Sequence, residues 1–154
     1  IKQFFKFLEK KEGREIPLKV KLLNPKDFKI GPEDLNVKGD LVFSQLPLQS
    51  LPDNLTVRGD LYLNNTQIQS LPDNLTVGRD LYLLKTEIES LPDNLTVKRD
   101  LDLAKIPIKS LPNNLKVGGY LDLENTPLAK KYTKEQIRSM IEERGGYVKK
   151  FIYL

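Results

Sequence analysis

Apolar residues recur along this chain with a strict period. Positions 31 to 130 divide into five consecutive blocks of 20 residues with nothing inserted between them: 31–50, 51–70, 71–90, 91–110 and 111–130. The block LPDNLTVRGDLYLNNTQIQS places Leu at its first, fifth, eleventh and thirteenth positions (Leu51, Leu55, Leu61, Leu63), Val at the seventh (Val57) and Ile at the eighteenth (Ile68). A fixed period without slippage predicts a solenoid, in which each block is one coil and stacks its apolar side chains on the coils before and after it. No block can bury its own apolar face alone.

Within a block, Leu-x-Val and Leu-x-Leu alternate with period two, which is the spacing of strands; a helix would need apolar residues three and four apart. The pattern predicts that Leu41-Val42-Phe43, Leu61-Tyr62-Leu63, Leu81-Tyr82-Leu83, Leu101-Asp102-Leu103 and Leu121-Asp122-Leu123 lie in parallel register, about 4.8 Å apart. Arg79 and Arg99 fall at the ninth place, where unbroken alternation would bury a side chain, so the chain turns there. Gly39, Gly59, Gly78, Gly118 and Gly119 gather at that corner, and we expect them to supply a bend with unusual dihedral angles. Pro at the second place, followed by Asp-Asn or Asn-Asn, marks the other corner.

The flanks complete the plan as one domain. Residues 1–30 read as an N-terminal capping helix plus a partial coil: Ile1, Phe4, Phe5 and Leu8 are at helical spacing, and Gly13 is a stop. In residues 131–154, Thr133 and Gln136 form a capping-box pattern, Ile137, Met140 and Ile141 share one helix face, and Gly145-Gly146 end that helix before a final strand. The Val-x-x-x-Leu-x-Leu skeleton returns as Val148, Ile152 and Leu154, and as Ile16, Val20 and Leu22. That gives about seven coils and a seven-stranded sheet with a capping α-helix at each end.

The pattern LPxNLxVxxDLxLxxTxIxS, written across 51–110, resembles the short bacterial type of leucine-rich repeat, and in particular the small leucine-rich repeat proteins of tailed bacteriophages. The resemblance implies an α/β repeat solenoid, a leucine-rich-repeat-like parallel β-solenoid whose strands line a concave face that binds another protein. It further implies a phage product acting on a host or defence factor. The family's asparagine ladder is replaced here by Thr66, Thr86 and Thr126, with Leu46 and Ile106 as exceptions. Its first strand leucine is replaced by Lys38, Arg58, Gly78, Lys98 and Gly118. A generic parallel β-helix therefore stays open as the alternative cross-section. Some related bacterial effectors carry a cysteine-dependent ubiquitin ligase domain, which a chain without cysteine does not share.

Composition narrows the chemistry. The 154 residues include no Cys and no His, which removes disulfides, thiolate nucleophiles, zinc–cysteine sites and the commonest general base and metal ligand. No apolar run reaches the roughly 18 to 20 residues of a membrane span, and no signal-peptide pattern is visible. The expectation is a soluble, cytoplasmic protein, within the host cell if phage-encoded, with the virion as the alternative. Residues 1–30 hold 9 basic and 4 acidic groups, 31–130 hold 10 and 14, and 131–154 hold 6 and 3. The basic patches therefore sit at opposite ends of a rod and do not merge into a groove, so nucleic acid is not the expected partner. Glycines fall singly at corners, which argues against a phosphate-binding loop.

With the leucines inward, the tenth, twelfth and fourteenth places face out from the strand and form an acidic and aromatic strip. Aromatic residues are enriched among the energetic anchors of interfaces. The protein-binding candidates are Tyr62, Tyr82, Asp102, Tyr120, Asp122 and Tyr153; the plain alternative is that Tyr simply favours strands. The column Asp40, Asp60, Asp80, Asp100 could suggest paired-carboxylate catalysis on carbohydrate. A residue copied into four coils more often serves every coil, and turn capping with ion pairing to a corner that carries Lys38, Arg58, Arg79 or Lys98-Arg99 accounts for it. The glycine-rich nonapeptide of calcium-binding β-rolls is absent. We therefore expect no catalytic residues, no metal and no cofactor in a non-enzymatic binding module. A structural component of a virion or other assembly is the first alternative and a carboxylate-dependent carbohydrate-active enzyme the second. Self-association through an exposed strand edge is a further option.

Overall fold

The structure is a computed structural model that describes Gln3 and residues 16–154. It is a parallel β-solenoid in which each repeat contributes two short strands. The chain runs through β1 (Asn36–Val37), β2 (Leu41–Val42), β3 (Thr56–Val57), β4 (Leu61–Tyr62), β5 (Thr76–Val77), β6 (Leu81–Tyr82), β7 (Thr96–Val97), β8 (Leu101–Asp102), β9 (Lys116–Val117), β10 (Leu121–Asp122), β11 (Tyr147–Val148) and β12 (Ile152–Tyr153). Odd-numbered strands form one six-stranded sheet and even-numbered strands a second, each stacked in sequence order. The predicted register holds: Leu41, Leu61, Leu81, Leu101 and Leu121 pair in succession, and Leu121 pairs with Ile152.

Stacking identical places buries identical side chains. Leu55, Val57, Leu61, Leu63 and Ile68 are fully buried, as are Leu75, Val77, Leu81, Leu83 and Ile88 one coil later. Each such side chain contributes about 1.5–3 kcal/mol of burial. Thr66, Thr86 and Thr126 are buried as well, and their hydroxyls donate to the carbonyls of Leu63, Leu83 and Leu123 at 2.8, 2.9 and 2.7 Å. They close the loop within their own coil, where an asparagine ladder would bridge coils.

The corners differ from expectation. Among the described residues Gly145 is the only glycine with positive φ, at 83°. The left-handed turns fall instead on the fourth place, Asn54, Asn74, Asn94 and Asn114 (φ 55–64°), and on the fifteenth, Gln45, Asn65, Lys85, Lys105 and Asn125 (φ 57–63°). Asn tolerates this region because its short amide bonds locally; Asn74 and Asn114 donate from their side-chain amides to Asn54 and Asn94. Four of the five corner glycines answer to room between coils, whereas a Cβ at Gly39 would meet nothing within 4 Å. A Cβ at Gly59 or Gly119 would collide with the carboxylate of Asp40 or Asp100, and one at Gly78 or Gly118 with the backbone carbonyl of Arg58 or Lys98.

The ends also differ in part. Ile16, Val20 and Leu22 do not form a strand: Leu18–Leu23 is a helix, α1, with Leu18 buried, followed by a 3-10 turn over Pro32–Leu35. Leu18 and Leu22 are one helical turn apart, so the same apolar residues suit a helix face as well as a strand. The second sheet consequently has six strands among the described residues, not seven. Lys21 ties α1 to the turn, its ammonium 2.9 Å from the Asp34 carboxylate. The amphipathic helix expected over residues 1–12 lies, apart from Gln3, outside the described residues.

After the fifth block the period is interrupted by α2 (Pro127–Lys131) and α3 (Lys134–Glu143). Thr133 and Gln136 form the predicted reciprocal capping box at 3.2 and 2.9 Å, and α3 buries Ile137 and Ile141 against the core. Arg138 on α3 donates to the carbonyls of Val148 (2.5 Å) and Lys150 (2.6 Å). In earlier coils the equivalent carbonyls, such as those of Val57 and Gly59, accept backbone amides of the following coil, Gly78 and Arg79. A guanidinium thus takes the place of the next coil at this edge. Among the described residues no helix is long and apolar enough to cross a membrane.

Candidate functional site

The even-numbered strands bury their first residue and turn the second outward. Their register lines up Val42, Tyr62, Tyr82, Asp102, Asp122 and Tyr153 in one outward column. Tyr120 belongs to the adjacent column at the tenth place, together with Asp40, Asp60, Asp80, Asp100 and Phe151. All six predicted binding residues therefore share one face. Among the described residues four large apolar side chains are exposed, and three of them lie on this face: Phe151 (67%), Val42 (42%) and Tyr153 (41%); the fourth is Tyr147. Phe151 is absent from the predicted set although its position two residues before Tyr153 places it in the strip.

The aspartates of the tenth place are structural. Asp40, Asp60, Asp80 and Asp100 each accept, through Oδ1, the backbone N–H of the tenth residue of the next coil, namely Asp60, Asp80, Asp100 and Tyr120, at 2.7–2.9 Å. Asp60 and Asp80 are buried, and Arg79 and Arg99 approach them at 3.8 and 3.6 Å. Each carboxylate also orients a phenol: Tyr62 donates to Asp60 at 3.3 Å and Tyr82 to Asp80 at 3.1 Å. Held this way, the Tyr62 and Tyr82 rings stack with centroids 4.8 Å apart and planes 13° from parallel. Desolvation and the hydrogen bond to Asp80 push the Tyr82 phenol up to about 12, and the Tyr62 phenol is raised by desolvation and the nearby Asp60 charge.

Towards the other end, Tyr120 stacks on Phe151 (6.1 Å, 10°) and tilts against Tyr153 (5.7 Å, 53°), with the Lys150 ammonium 5.3 Å from the Tyr120 ring centre. Between the two aromatic groups lie Asp102 and Asp122. Among the described residues, each accepts a hydrogen bond only from its own segment, from the amides of Ala104 and Glu124, both at 2.9 Å. Burial raises the Asp102 pKa, its bond from Ala104 offsets part of that, and the charges of Asp122 and Glu124 raise it further. No ion pair among the described residues involves Asp102, Asp122 or Glu124. Among the described residues, no cluster of three or more acidic side chains is arranged to hold a metal ion.

Neither a protein-family model, nor a curated protein, nor a solved structure matches the chain.

Proposed function

We propose that this chain is a non-enzymatic binding module that engages a protein partner through the outer face of the even-numbered strands, with Tyr62, Tyr82, Asp102, Tyr120, Asp122 and Tyr153 in contact. The observation that carries this reading is the row of Tyr62, Tyr82, Asp102, Asp122 and Tyr153 on one sheet face, with exposed Phe151 beside Tyr153 at one end and exposed Val42 at the other. Adjacent exposed aromatic side chains such as Phe151 and Tyr153 mark interaction surfaces, and aromatic anchors dominate their energetics. The aspartates that could have served as an acid–base pair bind backbone amides in every coil where they occur, which favours recognition over catalysis. The likeness of the repeats to small phage leucine-rich repeat proteins directs the search for a partner to bacterial host factors.

The test is affinity capture from a bacterial host with the wild-type chain and with Tyr62→Ala/Tyr82→Ala. The double variant keeps the Asp60 and Asp80 bonds to the next coil, so it folds; loss of a captured protein supports the reading. An unchanged set of captured proteins would falsify it.

A further inference from the structure

The face described above has a shape as well as a composition. Down the outward column, the tall Tyr62 and Tyr82 rings give way to two short side chains, Asp102 and Asp122, and the column rises again at Tyr153, with Tyr120 and Phe151 alongside. Tyr82 and Tyr153 are three strand steps apart, about 14 Å at the usual interstrand spacing. The result is a notch with carboxylates on its floor and aromatic rings at both ends.

Charge distinguishes the notch from the rest of the strip. Asp60 and Asp80, two coils and one coil before Asp102, have arginines beside them, whereas Asp102, Asp122 and Glu124 have no cation within ion-pairing distance among the described residues. Both notch aspartates use one oxygen on a strand amide, which leaves the second for a ligand. The rings at the ends offer the complementary attraction for a cation through their π faces. Lys150 already shows that chemistry, its ammonium lying over one face of Tyr120.

We propose that the partner bound at this face presents an extended basic segment, with an arginine or lysine side chain seated between Tyr82 and Tyr153 and paired with Asp102 and Asp122. This rests on the binding-face reading above and adds the chemistry of the partner. The exposed apolar rings bury the stems of the long basic side chains, and the carboxylates select their heads. An acidic segment would meet repulsion from three carboxylates, and an uncharged one would leave them buried without a partner.

The experiment is selection of a random peptide library on the immobilised full chain, followed by affinity measurement on synthetic copies of the selected peptides. Enrichment of Arg and Lys is expected. Replacing the arginines of a selected peptide by citrulline, which keeps the shape and removes the charge, should weaken binding at least about tenfold. Asp102→Asn/Asp122→Asn, which retains the oxygens that accept from Ala104 and Glu124, should weaken it to a similar extent. Glu87→Gln/Glu89→Gln, an equal loss of charge on residues outside the strip, should not. Peptides that need Tyr62 and Tyr82 but are acidic or uncharged, or that bind citrulline and arginine forms equally, overturn the basic-segment assignment and leave the binding face standing. Selected peptides indifferent to every substitution on the face overturn both.

Discussion

Two sets of aspartates, two residues apart in the repeat, behave as different components. Those at the tenth place reach across to the next coil's backbone, and two of them, Asp60 and Asp80, are buried with an arginine beside each. Among the described residues, those at the twelfth place, Asp102 and Asp122, bond only within their own strand and have no cation beside them. The residue type is the same, and the geometry divides its work between holding coils together and facing outward. A carboxylate that satisfies a backbone amide belongs to the fold, and one left with spare capacity and no counter-charge is available to something else.

Three perturbations bear on that division. The largest effect should come from Asp80→Ala, which leaves the Asp100 amide without its acceptor and releases the Tyr82 hydroxyl. A loss of about 1–3 kcal/mol is expected for an unsatisfied buried group, read as a lower denaturant midpoint with an unchanged slope. Asp80→Asn keeps the acceptor oxygen and should recover most of that stability. Were the two variants equally damaging, charge and not the hydrogen bond would be what the ladder supplies.

A smaller effect of opposite sign is expected at the twelfth place. The Asp102 pKa is raised above its ordinary 3.8, so between 3.8 and the higher folded value the folded chain binds more protons than the unfolded one. Stability contributed by this group is therefore greatest in acid and declines as pH rises through that window. Asp102→Asn removes the decline. Thermal melts should show the variant slightly more stable than wild type at neutral pH, with the advantage disappearing in acid; a destabilised variant at pH 7 would make Asp102 a second structural ladder.

The smallest effect concerns the phenols. Tyr82 is displaced from 10.0 to about 12, so the folded chain holds that proton where the unfolded chain has lost it, and stability falls as pH rises from 10 to 12. Tyr82→Phe should flatten the fall and remove the latest component from the ultraviolet titration of tyrosinate. A titration curve that keeps its alkaline tail in the variant would place the shifted phenol elsewhere.

Much of this architecture was legible because a repeat states its rule five times. The apolar alternation placed Leu61, Leu63 and their counterparts inside, and the zero-slip register followed from the constant period. The corners were harder to read. Glycine drew attention to Gly59 and Gly119, yet these are small because an Asp side chain from the neighbouring coil passes close by, a long-range contact that no local pattern announces. The left-handed residues were visible in part: Asn54, Asn74, Asn94 and Asn114 recur at one place, whereas Gln45, Lys85 and Lys105 carry no such signature. Of the candidate face, the outward column could be read from alternation alone. The stacking of Tyr62 on Tyr82, their anchoring by Asp60 and Asp80, and the lack of a counter-charge at Asp122 depend on side-chain rotamers and required coordinates. At the N-terminal side, Ile16, Val20 and Leu22 mimic the strand skeleton by spacing, and α1 shows how few residues are needed for two periodicities to coincide.

Arg138 carries a consequence for behaviour in solution. Stacked parallel strands are templates, and a raw sheet edge recruits further chains into fibrils. By occupying the Val148 and Lys150 carbonyls with one planar fork, this side chain deprives an incoming strand of two acceptors on one of the two sheets. A strand approaching that sheet would first have to displace a single side chain on a helix that the repeat itself does not encode.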